Sequence, residues 1–429
     1  MIQLIIGHTT SETSTIWIKG IDGQTQANIT LKTDGKSPIN IPNIELDNLR
    51  FNTAVITLQN LDADSVYNIT VVFDVGNNVK GKFRTLPTDA DEFTFLLGSC
   101  HFSQGVDPSS PEFEHINNIA SATNAKFMMN CGDQMYIDTA VLPIWVNNDW
   151  GYAERYMETW HSPEVQKVFA NLPQYMILDD HEIFNDFSSQ NVSGKKLKLF
   201  NWALSTYDVF QHSHNPNNYN KIYYSFDTLF ASFFVLDVRT ERTEAEMISS
   251  KQMEDLTLWI NDIDTADRVK VIVSPVPFIT QLEKKSNKDK WSGNKYKTQR
   301  NQIIDTIFNS PCQKFLLLSG DIHLSVNSSI KQTAGNNKIL HELISSPIKQ
   351  LQANLLSSTK INLLPDHPNY SYKLGKRMGN PVNKGASRIK LQNNIMAITL
   401  SKTTIKYSVY SLVNGELIDD FTDNLSFTN

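Results

Sequence analysis

The sequence has few cysteines and no long apolar run. Its three cysteines, Cys100, Cys131 and Cys312, are too few for a disulfide framework and do not match a zinc-finger spacing, so we expect free thiols. Residues 1–7 contain no basic segment of a signal peptide, and no run approaches the roughly 18 apolar residues of a membrane span. We therefore expect a cytoplasmic protein without a membrane span, or a periplasmic or secreted protein if the sequence is a processed form.

The chain also has little net charge, which bears on its partners. The formal net charge is -6 at pH 7, and charged residues make up 20% of the 429 residues. A nucleic-acid-binding surface needs clustered lysine and arginine, so we expect no specific nucleic-acid partner. The length fits two or three domains, one with a sizeable core. The sequence does not predict an oligomeric state.

The pattern of apolar residues changes near residue 90. Residues 1–88 contain short alternating runs, such as Thr15–Lys19 and Tyr67–Phe73, separated by Asp-Gly and Gly-Asn turns. This pattern predicts a small antiparallel β-sandwich of the immunoglobulin or fibronectin III kind. From Glu92 onward, apolar strands alternate with helical patterns, which is typical of βαβ units and an α/β core.

The second part of the chain divides into predicted elements. We expect strands at Phe93–Gly98, Lys126–Asn130, Gln174–Leu178, Ser232–Leu236, Val269–Ser274, Lys314–Leu318, Leu324–Ile330 and Ile339–Ile344. We expect helices at Glu112–Ala122, Tyr152–Val168, Lys195–Phe210, Lys251–Ile263 and Thr298–Phe308. Residues 350–386 look irregular, and strands follow at Ile389–Leu400, Thr404–Leu412 and Glu416–Phe421. The predicted domains are a sandwich (1–88), a catalytic domain (92–350) and a β-rich C-terminal extension packing on it (351–429).

Acid, base and metal-binding residue types follow nearly every predicted strand of the α/β part. The strand ends read Gly-Ser-Cys-His at 98–101, Gly-Asp at 132–133, Asp-Asp-His-Glu at 179–182, Asp-Val-Arg at 237–239 and Gly-Asp-Ile-His at 320–323. Ligands bind beyond the carboxyl ends of such strands. Carboxylates gathered there would repel one another unless cations neutralise them, so we predict bound metal. Two metals about 3.5–4 Å apart, sharing a carboxylate, would suit in-line displacement at phosphorus.

These motifs carry a family resemblance. Gly-Asp-Gln-Met-Tyr-Ile-Asp at 132–138, Asp-Asp-His-Glu with Asn-Asp at 179–186, Leu-Asp-Val-Arg at 236–239 and Ser-Gly-Asp-Ile-His at 319–323 resemble, in order, the motif series of the PhoD-type alkaline phosphatases and phosphodiesterases. The resemblance covers residues 5–350. It implies a four-layer domain of the calcineurin-like metallophosphoesterase superfamily, with two central mixed sheets flanked by helices, after the sandwich.

The resemblance also implies a set of metal ligands. Asp133 would bridge two metals, and the remaining implied ligands are Cys100, Tyr136 and His323 for the first metal and Asp180 and Asp321 for the second. Thiolate and phenolate favour Fe(III) at the first position, and oxygen ligands favour Ca(II) at the second, with zinc, manganese or magnesium as alternatives. The competing interpretations are a turn aspartate for Asp133, a small buried apolar residue for Cys100 and an aromatic lid for Tyr136.

Other residues would act on the substrate or support the ligands. His181 resembles the histidine that protonates or stabilises the leaving group, and Arg239 is suited to hold a phosphate oxygen. The alternative for Arg239 is a salt bridge to Asp237. Asp179, Asn185 and Asp237 are expected to support the ligands, whereas the roles of His101, Glu182, Asp138 and Asp186 stay open.

One segment departs from the family pattern. The family usually has Asp-x-Trp-x-Gly-Tyr followed closely by arginine, but residues 289–294 read Asp-Lys-Trp-Ser-Gly-Asn. Tyr296 would replace the missing tyrosine, and Arg300 comes later than expected. We expect this segment to border the pocket and to alter the substrate preference.

The sequence therefore predicts a metal-dependent hydrolase of small phosphate esters that uses a metal-bound water or hydroxide. Phosphodiesterase or phospholipase D-like activity on the same site is an alternative. A non-catalytic surface-binding protein with a vestigial site is a second alternative, which the intact ligand set disfavours. A zinc hydrolase of amides is a third, but its clustered His-Glu-x-x-His motif is absent from the sequence.

Overall fold

The computed structural model describes residues 3–76, 78–103, 109–138, 148–190, 192–282, 289–333, 337–350, 361–363, 369–378 and 392–428. Its strands are β1 (Gln3–Thr9), β2 (Ser14–Lys19), β3 (Gln26–Lys32), β4 (Ile39–Glu45), β5 (Thr53–Leu58), β6 (Val66–Phe73), β7 (Asn78–Arg84), β8 (Glu92–Gly98), β9 (Met128–Cys131), β10 (Gln174–Ile177), β11 (Tyr224–Thr228), β12 (Ala231–Val235), β13 (Val269–Ser274), β14 (Thr280–Leu282), β15 (Phe315–Ser319), β16 (Val326–Gln332), β17 (Ile339–Ile344), β18 (Ile361–Leu363), β19 (Tyr370–Arg377), β20 (Asn394–Ser401), β21 (Thr404–Ser411) and β22 (Leu417–Ser426). Its α-helices are α1 (Glu112–Ala122), α2 (Asp149–Thr159), α3 (Pro163–Phe169), α4 (Gly194–Phe210), α5 (Ser250–Asn261) and α6 (Lys297–Asn309).

The N-terminal strands form the predicted sandwich. Within the described ranges, β1, β2 and β5 form one antiparallel sheet, and β4, β3, β6 and β7 form the other. Along β6 the side chains alternate, so that Tyr67, Ile69 and Val71 are buried while Asn68 is exposed. The buried face meets Ile16 and other apolar residues of the first sheet in one core. Alternation with a period of two produces this arrangement, as the sequence predicts.

Two larger sheets face each other in the second part of the chain. One has the strand order β10-β9-β8-β20-β21-β22, and the other has β11-β12-β13-β15-β17-β16-β19. Phe95 of the first sheet and Val271 of the second contribute to the core between the sheets. The adjacent Leu96 and Ile272 point to the opposite faces, where they join separate cores.

Helices cover the outer faces of both sheets. Side chains of α1 to α4 share a core with Leu96, and side chains of α5 and α6 share a core with Ile272. The order of layers is therefore helix, sheet, sheet, helix. The four-layer fold and the preceding sandwich that we predict from the sequence are confirmed.

Several predicted elements are wrong in detail. The single helix predicted at Tyr152–Val168 is two helices, α2 and α3, because the hydroxyl of Ser162 caps a new helix that begins with Pro163. Residues 350–386, predicted to be irregular, contain β18 and β19, and β11 is a strand that the sequence analysis misses. The first residues of the predicted strand at Ile389–Leu400 lie outside the described residues. In the described part, β20 begins at Asn394.

The C-terminal strands complete the first large sheet. β20 runs antiparallel to β8, with Ala397 opposite Leu96, and β21 and β22 continue the sheet outward. β8 is therefore an internal strand, with β9 on its other side. The domain boundaries at 88 and 350 stay a prediction.

Two further expectations concern the whole chain. All three cysteines are buried and free, as their number and spacing predict. Within the part of the chain that the structure describes, no α-helix combines the length and the apolar character that a membrane crossing requires.

The sandwich packs against the α/β part through a buried tryptophan. The Nε1 of Trp17 on β2 donates a hydrogen bond of 2.8 Å to the carbonyl oxygen of Val209 on α4. The centroid of the Trp17 ring lies 5.6 Å from the centroid of the Phe210 ring. We expect this contact to couple the stability of the two parts.

Trp17→Phe should lower the melting temperature, because it removes a buried donor from Val209 and leaves a small cavity. The expected cost is about 1–3 kcal/mol. Trp259→Phe is the matched control, since Trp259 is a half-buried residue of α5 that packs in a cluster without sandwich residues and should shift the melting temperature far less. Equal shifts in thermal unfolding would contradict the coupling through Trp17.

Candidate metal centre

The carboxyl ends of two sets of parallel strands place the predicted residues. β8, β9 and β10 run parallel, and the loops after them carry Cys100, Asp133 and Asp180. β12, β13 and β15 of the other sheet are also parallel, and Asp237 and Asp321 follow β12 and β15. Parallel strands end on the same edge of a sheet, so each sheet presents its polar loops together.

Backbone contacts hold the loops after β8 and β9 against each other. The N–H of Cys100 donates to the carbonyl oxygen of Gly132 at 3.2 Å, and that of His101 donates to the carbonyl oxygen of Asp133 at 2.8 Å. Gly132 has a φ of 85°, and a Cβ there would lie 2.5 Å from the Cβ of Asp179. Only glycine fits this turn, which brings the loops of β9 and β10 together.

Four of the predicted ligands have left-handed backbone conformations. The φ angles are 60° for Cys100, 56° for Asp133, 68° for Asp321 and 52° for His323. Such angles are unfavourable for residues with a Cβ and tend to cluster at functional sites. The chain therefore adopts an uncommon backbone conformation where it presents these side chains.

A first group of candidate ligands lies around Cys100. Ligand atoms of Cys100, Asp133 and His323 all lie within 4.8 Å of one another. The Sγ of Cys100 is 3.4 Å from Oδ2 of Asp133, and the hydroxyl of Tyr136 donates to the same oxygen at 3.1 Å. Sulfur, phenol, imidazole and carboxylate donors together fit a transition metal such as iron.

A second group shares Asp133 with the first. Ligand atoms of Asp133, Asp180 and His181 also lie within 4.8 Å of one another, as do those of Asp180, Asp186 and Asp289. The backbone N–H of Asp186 donates to Oδ2 of Asp180 at 2.5 Å. The sequence analysis assigns no ligand role to Asp186 or Asp289, and the Asn-Asp and Asp-x-Trp patterns are the signals that could have indicated them.

The structure places Asp321 differently from the other predicted ligands. Its Oδ2 forms a close ion pair with Nζ of Lys290, and Asp321 belongs to none of the ligand groups found among the described residues. Nζ of Lys290 is also 3.6 Å from Oδ2 of Asp289. Burial opposes the charged form of Lys290, but Asp321 and Asp289 raise its pKa above the ordinary value.

The electrostatics of the protein alone favour a bound cation. Burial raises the pKa of Asp133 well above its ordinary range; His181 opposes that rise, whereas the neighbouring carboxylates Asp179 and Asp180 add to it. Burial and Asp133 likewise raise the pKa of the Cys100 thiol. Burial lowers the pKa of His323 to about 4, which leaves its imidazole neutral and able to ligate. Bound metal would reverse the first two shifts, so the donor set fits a metal centre.

His181 is oriented by two neighbours. Its Nδ1 lies 2.7 Å from Oδ1 of Asp138, whose Oδ2 accepts the backbone N–H of Asn185 at 2.5 Å. The rings of His181 and Tyr136 are 4.2 Å apart between centroids. Burial opposes protonation, but Asp133 and Asp138 raise the pKa of His181 to about 10. These carboxylates favour the protonated imidazole, and Asp138 holds its Nδ1.

Arg239 is fully buried among carboxylates. Its Nε makes a close ion pair with Asp179, its Nη1 lies 3.0 Å from Asp289, and its Nη2 lies 3.6 Å from Asp180. Asp237 instead accepts the backbone N–H of Arg239 at 2.9 Å. The guanidinium thus connects the loop after β10 with the segment before α6 that contains Asp289. Its contact with a phosphate oxygen stays a prediction.

The predicted supporting residues take different positions. Burial raises the pKa of Asp179 to about 7, although Arg239 opposes that shift. Asp237 closes the turn after β12, because its Oδ1 accepts the N–H groups of Arg239 and Thr240. Asn185 has an exposed side chain.

Glu182 is a buried residue whose role the sequence analysis leaves open. Its Oε2 accepts the N–H of Asp133 at 3.1 Å and that of Asp179 at 2.9 Å, and its Oε1 accepts the N–H of Gln134 at 2.6 Å. These bonds fix the loops that carry Asp133 and Asp180. Its place in the Asp-Asp-His-Glu motif, directly after β10, is the signal that could have indicated this role.

Comparison with known proteins concerns the fold of the whole chain. No curated protein sequence is significantly similar to the chain. The structure resembles that of PhoD, with a TM-score of 0.71 and 16% identity over 99% of this chain and 88% of that one. It also resembles the purple acid phosphatase PPD1 from yellow lupin (Lupinus luteus) seeds, with a TM-score of 0.61 and 11% identity over 99% of this chain and 74% of that one.

A family model provides the assignment that these distant structures do not. The model of PhoD-like phosphatases matches residues 95–394, the range that contains every candidate ligand described above. Five spaced motifs and the matched range agree, and they lie on the strand ends that form the metal centre. The chain belongs to the PhoD-like phosphatase family, and it is a metal-dependent phosphoric ester hydrolase.

Proposed function

We propose that the chain hydrolyses small phosphate esters at a two-metal site bridged by Asp133. The observation that carries this proposal is that Asp133 is common to two groups of ligand atoms, one with Cys100 and His323 and the other with Asp180 and His181. A carboxylate shared by two ligand groups is the arrangement that a dinuclear site requires. Fe(III) with Ca(II) suits the donors best, with zinc, manganese or magnesium as alternatives.

When bound, the metals would polarise the phosphoryl oxygens and lower the pKa of water so that it attacks phosphorus. The protein's own groups then have distinct tasks. His181 is held at Nδ1 by Asp138, which leaves Nε2 to donate a proton to the leaving oxygen. Tyr136 packs on the imidazole ring and restricts its orientation.

Arg239 contributes positive charge from within the protein. It lies among Asp179, Asp180 and Asp289, so it compensates part of their charge and orients Asp180 toward the shared carboxylate. The Arg239 side chain is 0% exposed, which favours this positioning task. We keep direct phosphate contact as the expectation for the state with substrate bound.

A panel of mono- and diesters, combined with metal analysis of the purified protein, tests the proposal. Hydrolysis of at least one ester class that is lost on chelation and restored by added metal is the expected result. Metal-free protein with full activity would overturn it. The ratio of mono- to diester rates would then define the preference of the site.

Asp133→Asn should abolish hydrolysis, with a loss of at least about a hundredfold, because an amide cannot supply the bridging charge. The circular dichroism spectrum should not change. Asp264→Asn, at an exposed position, is the matched control and should retain full activity. More than a tenth of the wild-type rate at full metal occupancy would remove Asp133 from the bridging role.

His181→Ala should slow esters with poor leaving groups far more than those with good ones, because only the former need a proton on the leaving oxygen. Asp138→Asn should act in the same direction but less strongly. An alkyl and a nitrophenyl ester provide the comparison, and His161→Ala, at an exposed position, is the control. Equal losses on both esters would indicate a structural or metal-binding histidine.

Tyr136→Phe should bleach or strongly shift a visible absorption band if its phenolate binds Fe(III). Phenolate-to-iron charge transfer absorbs in the visible range, and the substitution removes only one oxygen. Tyr410→Phe, on β21 and remote from the centre, should leave the spectrum unchanged. A colourless, fully active protein that contains zinc or manganese would refute ligation of iron by Tyr136.

A further inference from the structure

Lys290 is a buried cation inside the expected metal centre. Lys290 is only 7% exposed, and its ammonium group forms a close ion pair with Oδ2 of Asp321. The resemblance assigns Asp321 to the second metal, yet the structure pairs it with a lysine. Lys290 also occupies the variable second position of Asp-Lys-Trp-Ser-Gly, the segment that departs from the family pattern.

The neighbouring contacts show which partner holds Lys290. Asp289 already receives Nη1 of Arg239 at 3.0 Å, whereas Nζ of Lys290 lies 3.6 Å from it. The closer ion pair of Lys290 is therefore with Asp321. Asp321 follows β15, and Lys290 lies in the segment before α6, so the ion pair joins two different loops.

We propose that Lys290 competes with the second metal ion for Asp321. The ammonium group neutralises the carboxylate that the ion needs, and it repels a dication that approaches the same oxygen atoms. The second ion then binds weakly, while the group around Cys100 holds the first ion independently of Lys290. The inference rests on the proposed two-metal function and adds a consequence, namely that activity follows the free concentration of the divalent cation.

Calcium titration of the protein that carries its first metal tests this competition. Isothermal titration with calcium chloride should show that Lys290→Gln binds at least about tenfold more tightly than wild type, a change that corresponds to about 1.4 kcal/mol. Lys290→Met should give the same gain, and it serves as a second variant if an amide is poorly tolerated in the buried position. Lys295→Gln is the matched control, because Lys295 is exposed and pairs with Glu244.

A double-mutant cycle with Asp321→Asn separates direct competition from a general charge effect. In the Asp321→Asn background, Lys290→Gln should change calcium affinity by less than about threefold, because the contested carboxylate is gone. A gain as large as in the wild-type background would overturn competition at Asp321. Weaker affinity for inorganic phosphate in Lys290→Gln, with unchanged calcium affinity, would instead make Lys290 a substrate contact and would also overturn it.

The outcomes distinguish this inference from the proposed function. Equal calcium affinity in wild type, Lys290→Gln and Lys290→Met overturns the inference alone, since a two-metal site would still be present. No second binding event in any of these proteins overturns the inference together with the two-metal proposal. Metal analysis of each protein before titration establishes that the first ion is in place.

Discussion

The carboxylate of Glu182 is the contact on which the geometry of the centre depends. It accepts backbone N–H groups from the loop after β9, at Asp133 and Gln134, and from the loop after β10, at Asp179. Burial raises the pKa of Glu182, although these N–H donors oppose that shift. Hydrogen bonds to a buried charged group are strong and directional, so one side chain fixes the separation of two ligand-bearing loops.

A similar arrangement is present in the second large sheet. Glu342 on β17 accepts the N–H groups of Phe278, Ile279 and Thr280, which follow β13, and it also accepts the hydroxyl of Ser319 at the end of β15. Both sheets thus use a buried glutamate to hold the backbone at their carboxyl ends. The candidate ligands accept backbone donors of their own as well, since Asp180 accepts the N–H of Asp186 at 2.5 Å.

The sequence predicts the strands and their polar ends because both signals are local. Buried parallel strands such as β15 are nearly continuous apolar runs, and Gly-Asp marks the turn that follows β9. The sequence does not indicate the edge strand β19, because its residues are mostly polar and alternate only weakly between buried and exposed positions. Local signals do not predict the contact between Lys290 and Asp321, nor the hydrogen bonds from Asp133 and Gln134 to Glu182. These contacts join residues far apart in sequence and depend on tertiary packing.

The charges of the candidate centre indicate how a bound metal would affect the fold. Among the described residues, Asp179, Asp180, Asp289 and Asp321 form ion pairs with Arg239 or Lys290, whereas Asp133 forms an ion pair with neither. Burial opposes ionisation of Asp180, but Arg239 and His181 lower its pKa. Burial raises the pKa of Asp133 well above its ordinary range, and His181 only partly offsets that rise. A metal bridged by Asp133 would supply the missing charge where the arginine and the lysine do not reach. Because a buried carboxylate with little compensating charge is unfavourable, a metal held by Asp133 would also stabilise the folded chain.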